Sequence, residues 1–271
     1  MDTRLIFYCI IGILLSEYIL ATTLNFLNAK RFKDSIPEEL SDVYSSEEYR
    51  KSQEYKWTNY RFGILTSTFS ILLILSVLIF GGFGWIDNLV SKLTGNSTLQ
   101  SLVFFGIIMI GSDLLNTPFS YYQTFVIEEK FGFNKTTIKT FITDKLKGWV
   151  MIIVFGGGIV AMVLWFFEWM GTSFWLYTWG LITIFTVFMN LFYSKLIVPL
   201  FNKQEPLEEG SLKTKIESYA KNVGFELKNI FVINGSKRST KANAYFSGFG
   251  KEKRVTLYDT LINDLEEDEI V

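Results

Sequence analysis

Apolar runs separated by charged loops fill the chain as far as Pro199. A helix needs about 20 apolar residues to cross the hydrocarbon core, because all its backbone polar groups must be satisfied inside the segment. Five runs meet that length: Leu5–Leu27, interrupted only by Glu17; Phe62–Phe83; Leu99–Pro118, which carries Asp113 and Asn116; Trp149–Phe167; and Phe174–Ser194, extending to residue 198. The first run is too long for the apolar core of a signal peptide and has no convincing small-residue cleavage site, so it is expected to be retained. The pattern changes at Pro199, and Asn202–Gly210 reads as a polar linker. Beyond it, Leu212, Ile216, Tyr219, Ala220 and Val223 recur at helical spacing, with Ser211 as N-cap and Gly224 as stop. Asn229–Ile233 is expected to be a strand. Two runs rich in β-branched and aromatic residues, Ala242–Phe249 and Arg254–Asp259, flank a turn at Gly250-Lys251-Glu252-Lys253 and predict a β-hairpin. Asn263 or Asp264 would cap a last helix whose acidic first turn, Glu266–Glu269, suits a helix N-terminus.

The expected fold class is mainly α: a multi-pass transmembrane helical bundle over residues 1–201, then an α+β segment over 202–271 with one helix and a small antiparallel sheet. Composition agrees, with 49% hydrophobic and 17% aromatic residues in 271 and a net charge of -1. That balance gives no broad basic field, so nucleic acid is not an expected partner; the lipid bilayer is. Cys9, the lone cysteine, lies in the first apolar run and reads as a packing residue. Charge informs by position instead. The loop 28–61 holds Lys30, Arg31, Lys33, Arg50, Lys51, Lys56 and Arg61, and the loop 119–148 holds Lys130, Lys135, Lys139, Lys145 and Lys147. The alternate loops hold Lys92 and no other basic residue. The positive-inside rule then places the N-terminus outside and the hairpin in the cytoplasm.

Helix, strand and hairpin after residue 202 leave one sheet face without a covering layer. The chain stops on Ile270 and Val271 at the entry of a helix, and it therefore reads as a piece of a longer polypeptide.

Three blocks give the chain a wider resemblance: YYQTFVIEEKFGFNKTTIKTFITDKLK before and through Lys147, NLFYSKLIVPLFNKQEPLEEGSL over Asn190–Leu212, and GSKRSTKANAYF with LYDTL in the hairpin. Together they resemble the CAAX prenyl protease 1 family of zincin-like integral-membrane metallopeptidases. The resemblance implies a cage of membrane helices around a water-filled chamber, a zinc site facing the cytoplasm, and cleavage of peptides near their C-terminus, prenylated ones included. It also implies that zinc is held by the two histidines of an HExxH helix, whose glutamate is the general base, with a further acidic ligand from a later helix. No histidine occurs among these 271 residues. The expectation is therefore no catalytic and no metal-ligating residue here, zinc only in the full-length protein, and no activity of this chain alone.

What the resemblance does assign is substrate binding, through Asn243, Ala244 and Tyr245: an exposed strand can accept an extended peptide as a further strand. Without the resemblance, Asn243 reads as a strand-end residue and Tyr245 as a core aromatic. Glu17 and Asp113, ionisable at membrane depth, suit either a watery chamber or an interfacial helix end. They equally suit the alternative reading, a non-catalytic transporter-like or scaffold protein of the same descent. Lys237, Arg238 and Lys241 form a basic cluster that suits a carboxylate-ended substrate, or else a solvated loop. Gly156-Gly157-Gly158 allows close helix packing or a kink.

Overall fold

The predicted apolar runs are largely helical in the computed structural model, which describes residues 2–32, 35–37, 42, 45–225, 227, 229–248 and 253–271. Two compact units divide the chain, residues 1–131 and 132–271.

In the first unit, α1 (Thr3–Ala29) packs beside α2 (Ser46–Ile79), and α3 (Gly82–Ser91) links α2 to α4 (Ser97–Tyr122). Ser45 caps α2 with a reciprocal bond pair to Glu48, so the helix begins well before its apolar part at Phe62. Gly81, at φ 69°, ends the α2 run and starts α3, a helix in what the sequence presented as a loop. Pro118 does not end α4. In the turn around it, Asn116 Nδ2 and Thr117 Oγ1 donate to the Ser112 and Asp113 carbonyls at 2.9 and 2.7 Å, side-chain bonds of the kind that support a proline inside a membrane helix. The helix then widens into a π turn, Gln123–Glu128. A polar seam ties that turn to α2: Tyr55 donates to Glu128 at 2.5 Å, Gln123 to Asn59 at 2.9 Å, and Lys130 to Glu54 at 2.7 Å. Glu17 lies exposed on α1 and Asp113 half-buried on α4.

In the second unit, α5 (Ile138–Met151) passes through a π turn (Ile152–Gly156) into α6 (Gly157–Met170). The three-glycine run therefore marks a change of helical winding. Gly171, at φ 53°, breaks the chain before α7 (Phe174–Leu196), which packs on α6 and is followed by α8 (Val198–Phe201). Among the described residues, four helical stretches are long and apolar enough to span a membrane: Thr3–Ala29, Ser46–Ile79, Ser97–Glu128 and Ile138–Phe201. The last, 64 residues long, contains the fourth and fifth runs on either side of Gly171. The protein is an integral, multi-pass membrane protein.

After α8 come β1 (Gln204–Pro206), α9 (Ser211–Asn222), β2 (Asn229–Ile233), β3 (Ala244–Ser247), β4 (Arg254–Tyr258), α10 (Asp259–Asp264) and α11 (Glu267–Ile270). The strands form one sheet in the order β1-β2-β4-β3. This corrects the expected small antiparallel sheet. The hairpin reverses once between β3 and β4, which are antiparallel, but the chain lays β4 rather than β3 beside β2, so β4 runs parallel to β2. The polar linker contributes a strand because Gln204–Pro206 pairs antiparallel with Phe231–Ile233. Two caps also differ. Gly210, not Ser211, precedes α9, and Glu266, in a reciprocal bond pair with Glu269, caps the last helix in place of Asn263 or Asp264, which belong to α10. The hairpin turn at Gly250-Lys251-Glu252 lies outside the described residues.

Ile230, Val255 and Leu257 pack with Leu212 of α9 as the core of this segment, joined by Leu207, Ile216, Leu261 and Ile270. Burial of side chains of this size typically contributes about 1.5–3 kcal/mol each. Their alternation puts one face of the sheet under α9. The Ser211 hydroxyl and the Lys215 ammonium bond Glu267, holding its carboxyl below the usual carboxylate range and fastening α11 to α9.

Candidate functional site

The loop that leads into β3 is held tightly on the second unit. Arg238 donates to Asp144 of α5 through Nε at 3.0 Å and a terminal nitrogen at 2.7 Å, to the Phe201 carbonyl at 2.8 Å, and to Asn202. Its own carbonyl accepts from the Lys135 amide at 3.0 Å and the Thr136 hydroxyl at 3.1 Å. Arg238 is thus a structural clamp, and this geometry leaves the basic cluster without it as a free cation. Lys241 lies over the Phe133 ring at 4.6 Å. Gly235 is required by contact: a Cβ there would come 2.3 Å from the Tyr258 ring. The Ser236 amide and hydroxyl both bond Asp259, and Thr260 Oγ1 donates to the Lys241 carbonyl at 3.0 Å.

These ties fix where β3 begins. The Tyr258 amide donates to the Asn243 carbonyl at 3.0 Å, opposite it in the antiparallel register. In such a ladder, directly bonded pairs alternate with unbonded ones. Tyr245 with Thr256 and Ser247 with Arg254 are therefore the bonded pairs. Ala244 and Phe246 turn their N–H and C=O groups away from β4. Among the described residues no further strand lies on that side, so β3 is an open edge with two residues presenting backbone groups.

The three predicted residues have distinct settings. Asn243 is exposed, and its Oδ1 accepts from the Ala244 amide at 2.9 Å, occupying one outward donor of the edge. Its side chain also bonds the Tyr258 hydroxyl; burial, with the nearby Tyr245 adding, raises the Tyr258 phenol above its ordinary value despite that bond. Ala244 is exposed. Tyr245 is half-buried, its ring edge-on to Tyr258 at 6.4 Å. Phe246 escaped the sequence reading because the phase of the ladder cannot be read from residue types. The residue is 72% exposed, and its ring centre lies 5.5 Å from that of Phe225. A cleft of about 480 Å³ runs beside the edge, lined on one side by Tyr245, Phe246 and Ser247 and on the other by Met189, Asn190 and Tyr193 of α7. The sequence had presented α7 only as a membrane span.

A family model described as CAAX prenyl protease N-terminal, five membrane helices, matches residues 25–203. The chain belongs to the CAAX prenyl protease family. A second model, peptidase family M48, covers residues 206–271. The chain is 38% identical to a CAAX prenyl protease 1 homolog of Arabidopsis thaliana, covering 97% of this chain and 64% of that protein. With CAAX prenyl protease 1 of Saccharomyces cerevisiae the identity is 34%, over 96% of this chain and 60% of that one. The crystal structure of S. mikatae Ste24p superposes with a TM-score of 0.91 at 35% identity, covering 97% of this chain and 64% of that one. The chain thus spans less than two thirds of the length of these relatives.

The M48 family is one of metallopeptidases, and its metal can be tested against the residues present. Among the described residues no three His, Cys, Asp or Glu side chains converge, and the sequence has no histidine. In α11, Glu267 and Asp268 bond Ser211 and Lys215, and Glu269 accepts from the Glu266 amide, so the carboxylates do not converge. The described residues offer no set of side chains that fits a zinc ion.

Proposed function

We propose that this CAAX prenyl protease family chain supplies the membrane-embedded and peptide-gripping part of a zinc metalloendopeptidase that cleaves peptides near a prenylated C-terminus. An extended segment of the substrate joins the sheet at β3, pairing with the outward N–H and C=O groups of Ala244 and Phe246. Asn243 Oδ1, resting on the Ala244 amide, stands in for a substrate carbonyl; when the peptide arrives it swings away and its amide becomes a donor to the peptide. Tyr245 packs against the guest strand. The single observation behind this reading is that β3 is an open edge beside a cleft. The metal-bearing residues belong to the part of the relatives' length that this chain does not cover.

Metal analysis tests the division of labour. The protein carried to the relatives' full length should purify with about one zinc per molecule, lose peptidase activity on chelation and regain it with zinc, while the 271-residue chain holds well below one equivalent. A full-length protein with neither zinc nor cleavage would favour a non-catalytic member of the family.

The same reading places the Ser236–Lys241 loop in the cytoplasm, following the basic loops around Lys51 and Lys139. In a Cys9→Ser background, a cysteine introduced by Lys237→Cys should resist an impermeant maleimide in sealed cells and react after permeabilisation. Labelling in sealed cells would reverse the topology.

A further inference from the structure

We infer that the cleft beside β3 is a side-chain subsite for the strand-paired peptide, and that it selects a side chain bearing a hydrogen-bond acceptor, a carboxamide or carboxylate. The inference rests on the edge-pairing reading above and adds to it which part of the peptide is read.

Three hydroxyls carry it. The side-chain oxygens of Tyr245, Ser247 and Thr256 are buried without a hydrogen-bond partner. Tyr245 is paired with Thr256, and Ser247 lies two residues from Tyr245, so all three belong to the face of the sheet opposite α9. Thr256 has no exposed surface at all. Buried polar groups in folded proteins almost always find partners, so hydroxyls left without one on this face mark where a guest group would be taken up. Tyr245 and Ser247 line the cleft. Among the described residues its lining includes no carboxylate, and the Lys253 ammonium sits 4.7 Å from the Phe225 ring on the α9 side of the edge. Asn190 already donates its amide to the Thr186 carbonyl at 3.0 Å. Hydroxyls with no acceptor of their own have a proton to donate, and this favours a guest side chain that accepts.

The ladder phase puts a guest side chain there. Tyr245 spends its backbone groups on β4, so an antiparallel guest meets it in an unbonded pair, with Cα atoms about 4.5 Å apart and side chains at their closest. The guest residue opposite Tyr245 therefore points to the same face, toward the Tyr245 and Ser247 hydroxyls. Its neighbours, opposite Ala244 and Phe246, point to the other face and escape this selection.

The test uses the chain in nanodiscs and fluorescein-labelled extended peptides in which Asn, Asp or Leu is moved through successive positions, with binding read by anisotropy. One position should prefer Asn or Asp over Leu by at least about tenfold. That preference should shrink to about threefold or less in both Tyr245→Phe and Ser247→Ala, with thermal midpoints equal to or above that of the parent. An unchanged preference in the two variants overturns the subsite, as does a lowered midpoint, which would mark the hydroxyls as bridged by structural water. Phe246→Pro separates the two readings. If it leaves peptide binding intact, or if no peptide binds the parent chain, edge pairing itself fails. If it abolishes binding while the hydroxyl variants leave the preference untouched, the subsite alone fails.

Discussion

Phe246→Pro should leave the sheet standing while removing most peptide affinity from its edge. Proline has no N–H to donate and fixes φ near −65°, so it is tolerated in a strand only where its nitrogen faces away from the ladder. The bonded pair Asn243 with Tyr258 sets the phase of β3 so that the Phe246 amide faces outward. The substitution therefore breaks no bond to β4. A guest strand, however, would meet a pyrrolidine ring where it needs a donor, and one of its carbonyls would stay unpaired in the cleft. Such an orphaned group together with the lost bond costs about 2–3 kcal/mol, or roughly 30- to 150-fold in affinity. Tyr245→Pro, one residue earlier, should behave in the opposite way: it removes a β3–β4 ladder donor and should destabilise the fold by about 3 kcal/mol. Phe246→Ala controls for the side chain, since it loses the Phe225 contact but keeps the amide. Peptide anisotropy and thermal unfolding, measured together on the three variants, check the contrast. Equal loss of affinity in Phe246→Ala and Phe246→Pro would show that the ring, not the backbone, holds the peptide.

How far the sequence revealed this arrangement depends on the range of the forces involved. Membrane spans were legible because each must satisfy its backbone within itself, and a run such as Phe62–Phe83 advertises that locally. The helix from Ser211 was legible through its periodicity, and the strands Asn229–Ile233 and Arg254–Asp259, the last ending at Tyr258 in the structure, through local residue types. Strand β1 was not, because Gln-Glu-Pro has poor strand propensity and becomes a strand only by pairing with Phe231–Ile233. Helix α3 hid behind glycines at 81, 82 and 84. In the candidate site the family resemblance, not residue types, pointed to Asn243, Ala244 and Tyr245, and which backbone groups face outward depends on a bond between residues 243 and 258. The opposing wall comes from α7, whose residues 189, 190 and 193 carry no local mark of it. Arg238 looked like part of a solvated basic cluster because its partner lies 94 positions away.

That distant pair yields the largest stability effect expected from the loss of side-chain contacts alone. Arg238 and Asp144 are each only about a quarter exposed, and the guanidinium makes four side-chain bonds that join the loop before β3 to α5 and to the end of α8. Arg238→Ala removes them all and leaves the Asp144 carboxylate and the Phe201 carbonyl short of a donor. A charged hydrogen bond of this kind is worth about 1.5–3 kcal/mol, so the variant should lose at least that much. Arg238→Lys should recover little, because an ammonium on a flexible stem cannot reproduce a planar fork that reaches a carboxylate, a carbonyl and an amide at once. Asp144→Ala should be milder, since Arg238 keeps Phe201 and Asn202. In a double-mutant cycle the two alanine variants should be non-additive by about 1 kcal/mol or more. Because the clamp sets the start of β3, amide exchange at residues 239–247 should quicken in Arg238→Ala, while exchange in α1 and α2 of the first unit stays as it was. Additive losses with unchanged exchange at 239–247 would mean that the ion pair is a surface contact and that β3 is positioned by the Gly235–Tyr258 contact and the Asp259 bonds alone.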